Sequence, residues 1–167
     1  MKKLNLYVTD ETYTGKDDKI KDFPVVSSLN YDEIHIVGGD PLTKYGRLYN
    51  FLTNLNEITP ELYGIKPNVY IHTSIWRIPI LVCLSEVCNV LSISLNDKDD
   101  IGQFIELNRE LNIDTSDVFY HFRRISVNVF IKEELFPNID INPILNIHIG
   151  KDNLGSSSDN RRIVELW

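Results

Sequence analysis

Glu33-Ile34-His35-Ile36-Val37-Gly38-Gly39-Asp40-Pro41 decides how this chain is read. A short, β-branched apolar run gives way to two glycines, an acid and a proline. The run has strand composition. Gly38 and Gly39 let the backbone take positive φ and approach a ligand closely. Pro41 fixes φ ahead of a following helix. The Asp40 carboxylate has two uses: it can cap that helix, or it can hold an ammonium or hydroxyl group. Local sequence alone favours the cap.

Similar runs lie on either side at Leu4–Val8, Val69–Thr73, Asn89–Leu95, Ser126–Ile131 and Ile144–Ile149, with a last one at Arg162–Leu166. Most are near-continuous rather than alternating, which suits strands covered on both faces. Helical spacing appears between them. Lys44–Ile58 carries Leu48, Phe51, Leu52 and Leu55 on one face, and Ile101–Leu111 follows Asp99 and Asp100, acids suited to a first turn. Ile75–Val87 is apolar with Pro79 near its start, and Asp117–Arg124 is a shorter helical stretch. Strands alternating with helices predict an α/β fold with a mostly parallel sheet or an incomplete (β/α) barrel. Asp10–Asp22, with eight charges in thirteen residues, and Lys151–Arg162 read as loops. Neither separates two cores, so residues 1–167 are expected to form one domain.

In parallel sheets, ligands bind beyond the carboxyl ends of the strands. That rule nominates Asp10 and Glu11 after the first strand, Gly38, Gly39 and Asp40 after the second, His72, Thr73 and Ser74 at the third, and Asn96 at the fourth. His72-Thr73-Ser74 has the form of one half of a two-histidine phosphoesterase. The second half is missing, because His148-Ile149-Gly150 has glycine in place of the hydroxyl. His35 and His121 read as packed or surface histidines. The chain has no Gly-x-Ser-x-Gly elbow, no phosphate loop and no Gly-x-Gly-x-x-Gly. Cys83 and Cys88 stand five apart in an apolar stretch, which fits core thiols better than zinc ligands.

Composition narrows the classes further. Seventeen basic and 24 acidic residues give a net charge of −7, against a protein that coats duplex nucleic acid. No apolar run reaches the ~20 residues of a membrane span. The opening Met1-Lys2-Lys3-Leu4 lacks the pattern of an export signal, so reduced thiols and a cytoplasmic location are expected. There is no alanine, against 21 isoleucines and 16 asparagines, which fits an AT-rich bacterial or viral genome.

Taken together, these stretches resemble the radical S-adenosylmethionine (SAM) family, in particular the small activases of anaerobic ribonucleotide reductase. Leu4-Asn5-Leu6-Tyr7-Val8-Thr9-Asp10 is similar to that family's first strand. Ile34 to Leu42 matches its second strand and Gly-Gly-Asp/Glu-Pro turn. Val69–Ser74 and Val90–Asp97 sit where later strands fall, and Gly155–Arg162 is similar to a stretch near the activase C-terminus. The resemblance implies a partial barrel, with Gly38, Gly39 and Asp40 at the methionyl ammonium and Thr73, Ser74 and Asn96 at ribose or methionyl groups. One departure is decisive. Where the family carries Cys-x3-Cys-x2-Cys, this chain reads Glu11-Thr12-Tyr13-Thr14-Gly15-Lys16-Asp17-Asp18. An iron–sulfur cluster needs thiolates, so neither a cluster nor its radical reaction is expected.

Three readings stand side by side. The first is a degenerate radical-SAM-like domain that binds SAM or a nucleotide, or acts through a protein partner. The second is a cluster-free hydrolase or transferase using His72 with Asp10 or Glu11 and Asp40. The third is a purely structural or regulatory module. A homodimer or hetero-partner is expected in the first case, because a half-barrel leaves an edge strand to cover. Ile125–Trp167 is the expected contact region.

Overall fold

The computed structural model describes residues 1–9, 19–20, 23–37, 41–74, 76–150 and 161–165. Among these residues, eight strands run in chain order: β1 (Lys3–Thr9), β2 (Lys19–Ile20), β3 (Glu33–Val37), β4 (Asn68–Thr73), β5 (Val90–Leu95), β6 (Ser126–Ile131), β7 (Leu145–Ile149) and β8 (Arg161–Glu165). Four α-helices among them accompany the strands: α1 (Tyr45–Tyr63), α2 (Ile78–Leu84), α3 (Lys98–Leu111) and α4 (Asp117–Phe122). The strands form one open, all-parallel sheet in the order β2-β8-β1-β3-β4-β5-β6-β7. This is the expected α/β class with a parallel sheet. Lys19–Ile20 and Arg161 are strand residues inside stretches expected to be loops, where pairing to a neighbouring strand overrides polar composition.

Local chemistry sets the helix ends. Asp97 caps α3 by accepting from the backbone N–H groups of Asp99 and Asp100, and Ser116 caps α4 through Phe119 N–H. Pro79 sits in the first turn of α2, where its missing N–H costs nothing. α1 runs past the expected end at Ile58 to Tyr63. It stops at Gly64, whose φ of 67° suits glycine and lets its N–H return to Pro60 C=O.

From β1 through β7, omitting β2, each new strand adds to the same side of the sheet. Right-handed crossovers that advance in one direction place their helices on one face. The burial agrees. Register rows such as Leu6–Ile36–Ile71–Leu91–Val127–Leu145 are buried in a single cluster with Leu48, Leu52, Leu55, Leu81, Phe104, Leu107 and Phe122 of the helices. Truncating Phe104 or Phe122 to alanine would cost roughly 3–5 kcal/mol.

Among the described residues no α-helix covers the opposite face, termed the uncovered face, where the expectation was of strands covered on both. β3, β4 and β6 alternate buried and half-buried positions along their length. His35, Tyr70, His72, Ser92, Asn128 and Phe130 stand between the apolar residues of their strands, and they point away from the helices.

The crossover from β6 to β7 has no α-helix. It is pinned to α3 by two asparagines. Asn108 Nδ2 donates to Asp140 C=O, while its Oδ1 accepts from Asn142 N–H at 2.8 Å. Asn142 donates through Nδ2 to Leu111 C=O and Asn112 Oδ1, and accepts Ile144 N–H.

Candidate functional site

Parallel register sorts the side chains of the uncovered face into rows. The row nearest the amino ends of the strands is Lys3, Glu33 and Asn68. Next come Asn5, His35, Tyr70, Val90 and Ser126. His72, Ser92, Asn128 and Asn146 follow, with Tyr7 and Val37 in register on β1 and β3. Ser94, Phe130 and His148 lie closest to the carboxyl ends.

Rings on adjacent strands stack across the sheet. His35 and Tyr70 lie 4.1 Å apart at 5°, His35 and His72 at 6.0 Å, and Phe130 and His148 at 4.6 Å and 15°. Strands about 4.8 Å apart impose this spacing on facing rings. The rings therefore stand upright and turn their edges outward.

The two halves of the face differ in chemistry. Towards the amino ends, Glu33 Oε2 lies 3.4 Å from His35 Nε2, and Tyr70 OH reaches Glu33 Oε1 at 3.5 Å. The His35 side chain is only 15% exposed. Burial, helped by the positive charge of Lys3 and by His72, pulls its pKa down to about 4 against the opposing pull of Glu33. His35 is thus a neutral ring at pH 7. Tyr70 is pushed above the ordinary tyrosine value by burial and by the Glu33 charge. Towards the carboxyl ends the groups are hydroxyls, amides and imidazoles. Asn128 Nδ2 lies 3.5 Å from Ser92 Oγ, and His148 Nε2 lies 3.3 Å from Asn128 Oδ1. From β4 to β7, no Asp, Glu, Lys or Arg occupies the two rows containing His72 and His148.

The residues nominated from sequence fall as follows. His72 lies on the uncovered face, in register with Ser92 and beside His35. Thr73 is buried, in the same row as Ile93 and Val129 on the helix side, opposite to His72. Ser74 is exposed just beyond β4. Asn96 is exposed between β5 and α3, and its N–H donates to the Asp100 carboxylate at 2.7 Å. Asp10, Glu11, Gly38, Gly39 and Asp40 lie outside the described residues.

Residues that the strand-end rule passes over are His35, Tyr70, Ser92, Asn128 and Phe130; His148, at the end of the sixth run, falls within it. Their signal was present as polar or aromatic residues recurring every second position within apolar runs. Among the described residues, no three His, Cys, Asp or Glu side chains gather as a metal site. Cys83 is exposed and Cys88 is buried, with the Cys88 thiol pushed up to about 12 by burial.

Comparisons with protein-family models, with curated proteins and with solved structures find no match for this chain.

Proposed function

We propose that this chain is a cluster-free, radical-SAM-like domain that binds SAM or a related nucleoside-bearing ligand against the uncovered face of its sheet. The carrying observation is the composition of that face. Parallel sheets ordinarily bury both faces in apolar side chains. Here one face carries His72, Ser92, Ser94, Asn128 and His148 in adjoining register rows. Hydroxyl, amide and imidazole edges without fixed charge suit the ribose hydroxyls and base edge of a nucleoside, the uncharged part of SAM. The charged amino-acid end is assigned to Gly38, Gly39 and Asp40, which follow β3 directly in sequence. The consecutive strand order from β3 to β7 adds support, since it is the winding expected of a partial (β/α) barrel.

Isothermal titration calorimetry with SAM, adenosine and ATP tests the proposal. Wild type is expected to bind SAM with a dissociation constant between micromolar and low millimolar. Asn128→Ala removes one hydrogen-bonding group to the nucleoside and weakens SAM and adenosine about tenfold. Asp40→Ala weakens SAM while leaving adenosine unchanged. A folded wild-type protein that binds none of the three at millimolar concentration refutes the proposal and leaves the structural-module reading.

A further inference from the structure

We propose that β7 is a self-complementary edge through which two copies of this chain pair antiparallel, joining their sheets into one. The two edges of the sheet are unequal. One is β2, only two residues long and blunt. The other is β7, Leu145-Asn146-Ile147-His148-Ile149, which among the described residues pairs only with β6. Natural edges are guarded by charges, proline, bulges or extreme shortness. β7 contains no charged residue and no proline, and its register with β6 is unbroken from Leu145 to Ile149.

Backbone direction shows which groups are on offer. Gly150 N–H donates inward to Ile131 C=O. Stepping back by two residues, the backbone groups of His148 and Asn146 also face β6, and those of Ile149, Ile147 and Leu145 face outward. The Leu145 N–H is taken by Asn142 C=O within its own chain. Among the described residues, that leaves the Leu145 C=O and both groups of Ile147 and Ile149 for a partner strand.

The strand is also symmetric about Ile147. An isologous pairing places the same patch on both copies. With the two-fold axis at Ile147, each Ile147 exchanges N–H and C=O with its counterpart, and each Ile149 N–H meets the Leu145 C=O of the other copy. On the helix side, Ile149, 44% exposed in the single chain, is brought against the other copy's Leu145. On the uncovered face, Asn146 meets His148, an amide opposite an imidazole. Apolar residues face apolar ones and hydrogen-bonding groups face each other in this one register. A slip by one residue would mismatch both faces.

The test is sedimentation equilibrium of the full chain, together with register-specific cross-linking. Wild type is expected to dimerise. Ile149→Lys places a charge at a position already half exposed, so the fold survives while the dissociation constant rises roughly 100-fold, the 2.7 kcal/mol scale of a charge buried in a small interface. In this register, Asn146 and the other copy's His148 form a non-hydrogen-bonded pair with Cα atoms about 4.5 Å apart, within disulfide reach. In a Cys83→Ser background, N146C/H148C is therefore expected to run as a dimer on a non-reducing gel. N146C alone is not, since its two copies lie beyond the ~7 Å limit. Monomeric wild type at 100-micromolar concentration overturns the proposal. So does a dimer unaffected by Ile149→Lys that gives no N146C/H148C cross-link.

Discussion

Acidification should uncover the burial of His35. Its pKa is 6.5 in the unfolded chain and about 4 when folded. The folded state therefore holds its proton less tightly, so the neutral ring stabilises the fold fully above pH 6.5. That stabilisation is lost as pH falls towards 4. Proton linkage between these two values gives a loss of about 2 kcal/mol from pH 7 to pH 5, and about 3 kcal/mol by pH 4. Carboxylates titrate over the same range, so the effect must be isolated by difference. His35→Phe keeps a flat ring against Tyr70 and removes the titration. Urea unfolding, followed by tryptophan fluorescence at pH 7 and pH 5, should show wild type losing about 2 kcal/mol more than His35→Phe between the two conditions. Imidazole proton shifts in an NMR titration should place one histidine near pH 4. Equal pH slopes in the two proteins, or His35 titrating near 6.5, would falsify the assigned environment of the Glu33–His35–Tyr70 cluster.

Asn142→Ala removes three side-chain hydrogen bonds at the α3 junction and leaves buried backbone groups unpaired. The expected loss is roughly 3 kcal/mol in urea unfolding, and a loss within 0.5 kcal/mol would mean that water replaces the amide. Native protein should release one equivalent of thionitrobenzoate quickly from Ellman's reagent, at exposed Cys83. Buried Cys88, its thiol pushed up to about 12, should react only in denaturant, and two fast equivalents would contradict its burial. Replacing Ser92 and Asn128 together by valine should leave stability unchanged or raise it, because both partners of their contact become apolar. The same double variant should lose SAM binding at least tenfold; retained affinity would separate these residues from the ligand.

Much of the fold was legible in the sequence because its strands are short, β-branched and separated by polar turns. Glu33–Val37 and Ser126–Ile131 were placed at their observed bounds, and other strands missed by a residue or so. β2 was not legible. Lys19 and Ile20 have no strand signature, and they pair only because β8 lies beside them. The end of α1 was missed for a related reason. Thr59-Pro60 looks like a stop, yet a proline in the last turn sacrifices few bonds, and Gly64 supplies the true terminus. The site was read at the strand ends, where a general rule for parallel sheets pointed. The residues gathered along the sheet face escaped because isoleucine and valine around them masked the two-residue period. His35 between Ile34 and Ile36 is the clearest case, reading as a packed histidine in one dimension and as part of a lateral row in three.

That lateral organisation bears on why the face is polar at all. An uncovered sheet face could be kept wet most simply by lysine and glutamate, whose long side chains avoid one another in water. From β4 to β7 the chain uses short groups that hold each other across neighbouring strands: Asn128 with Ser92, and His148 with Asn128. Such contacts fix each side chain's orientation before any ligand arrives, which lowers the ordering cost of binding. They also cost the fold something. Ser92 is 2% exposed, and its hydroxyl needs the Asn128 amide where a valine would need nothing. A face serving stability alone has no reason to keep buried hydroxyls beside upright imidazoles. A face on which buried Ser92 orients half-buried Asn128, and Asn128 orients half-buried His148, for a nucleoside does, and that contrast is the physical ground on which the binding proposal rests.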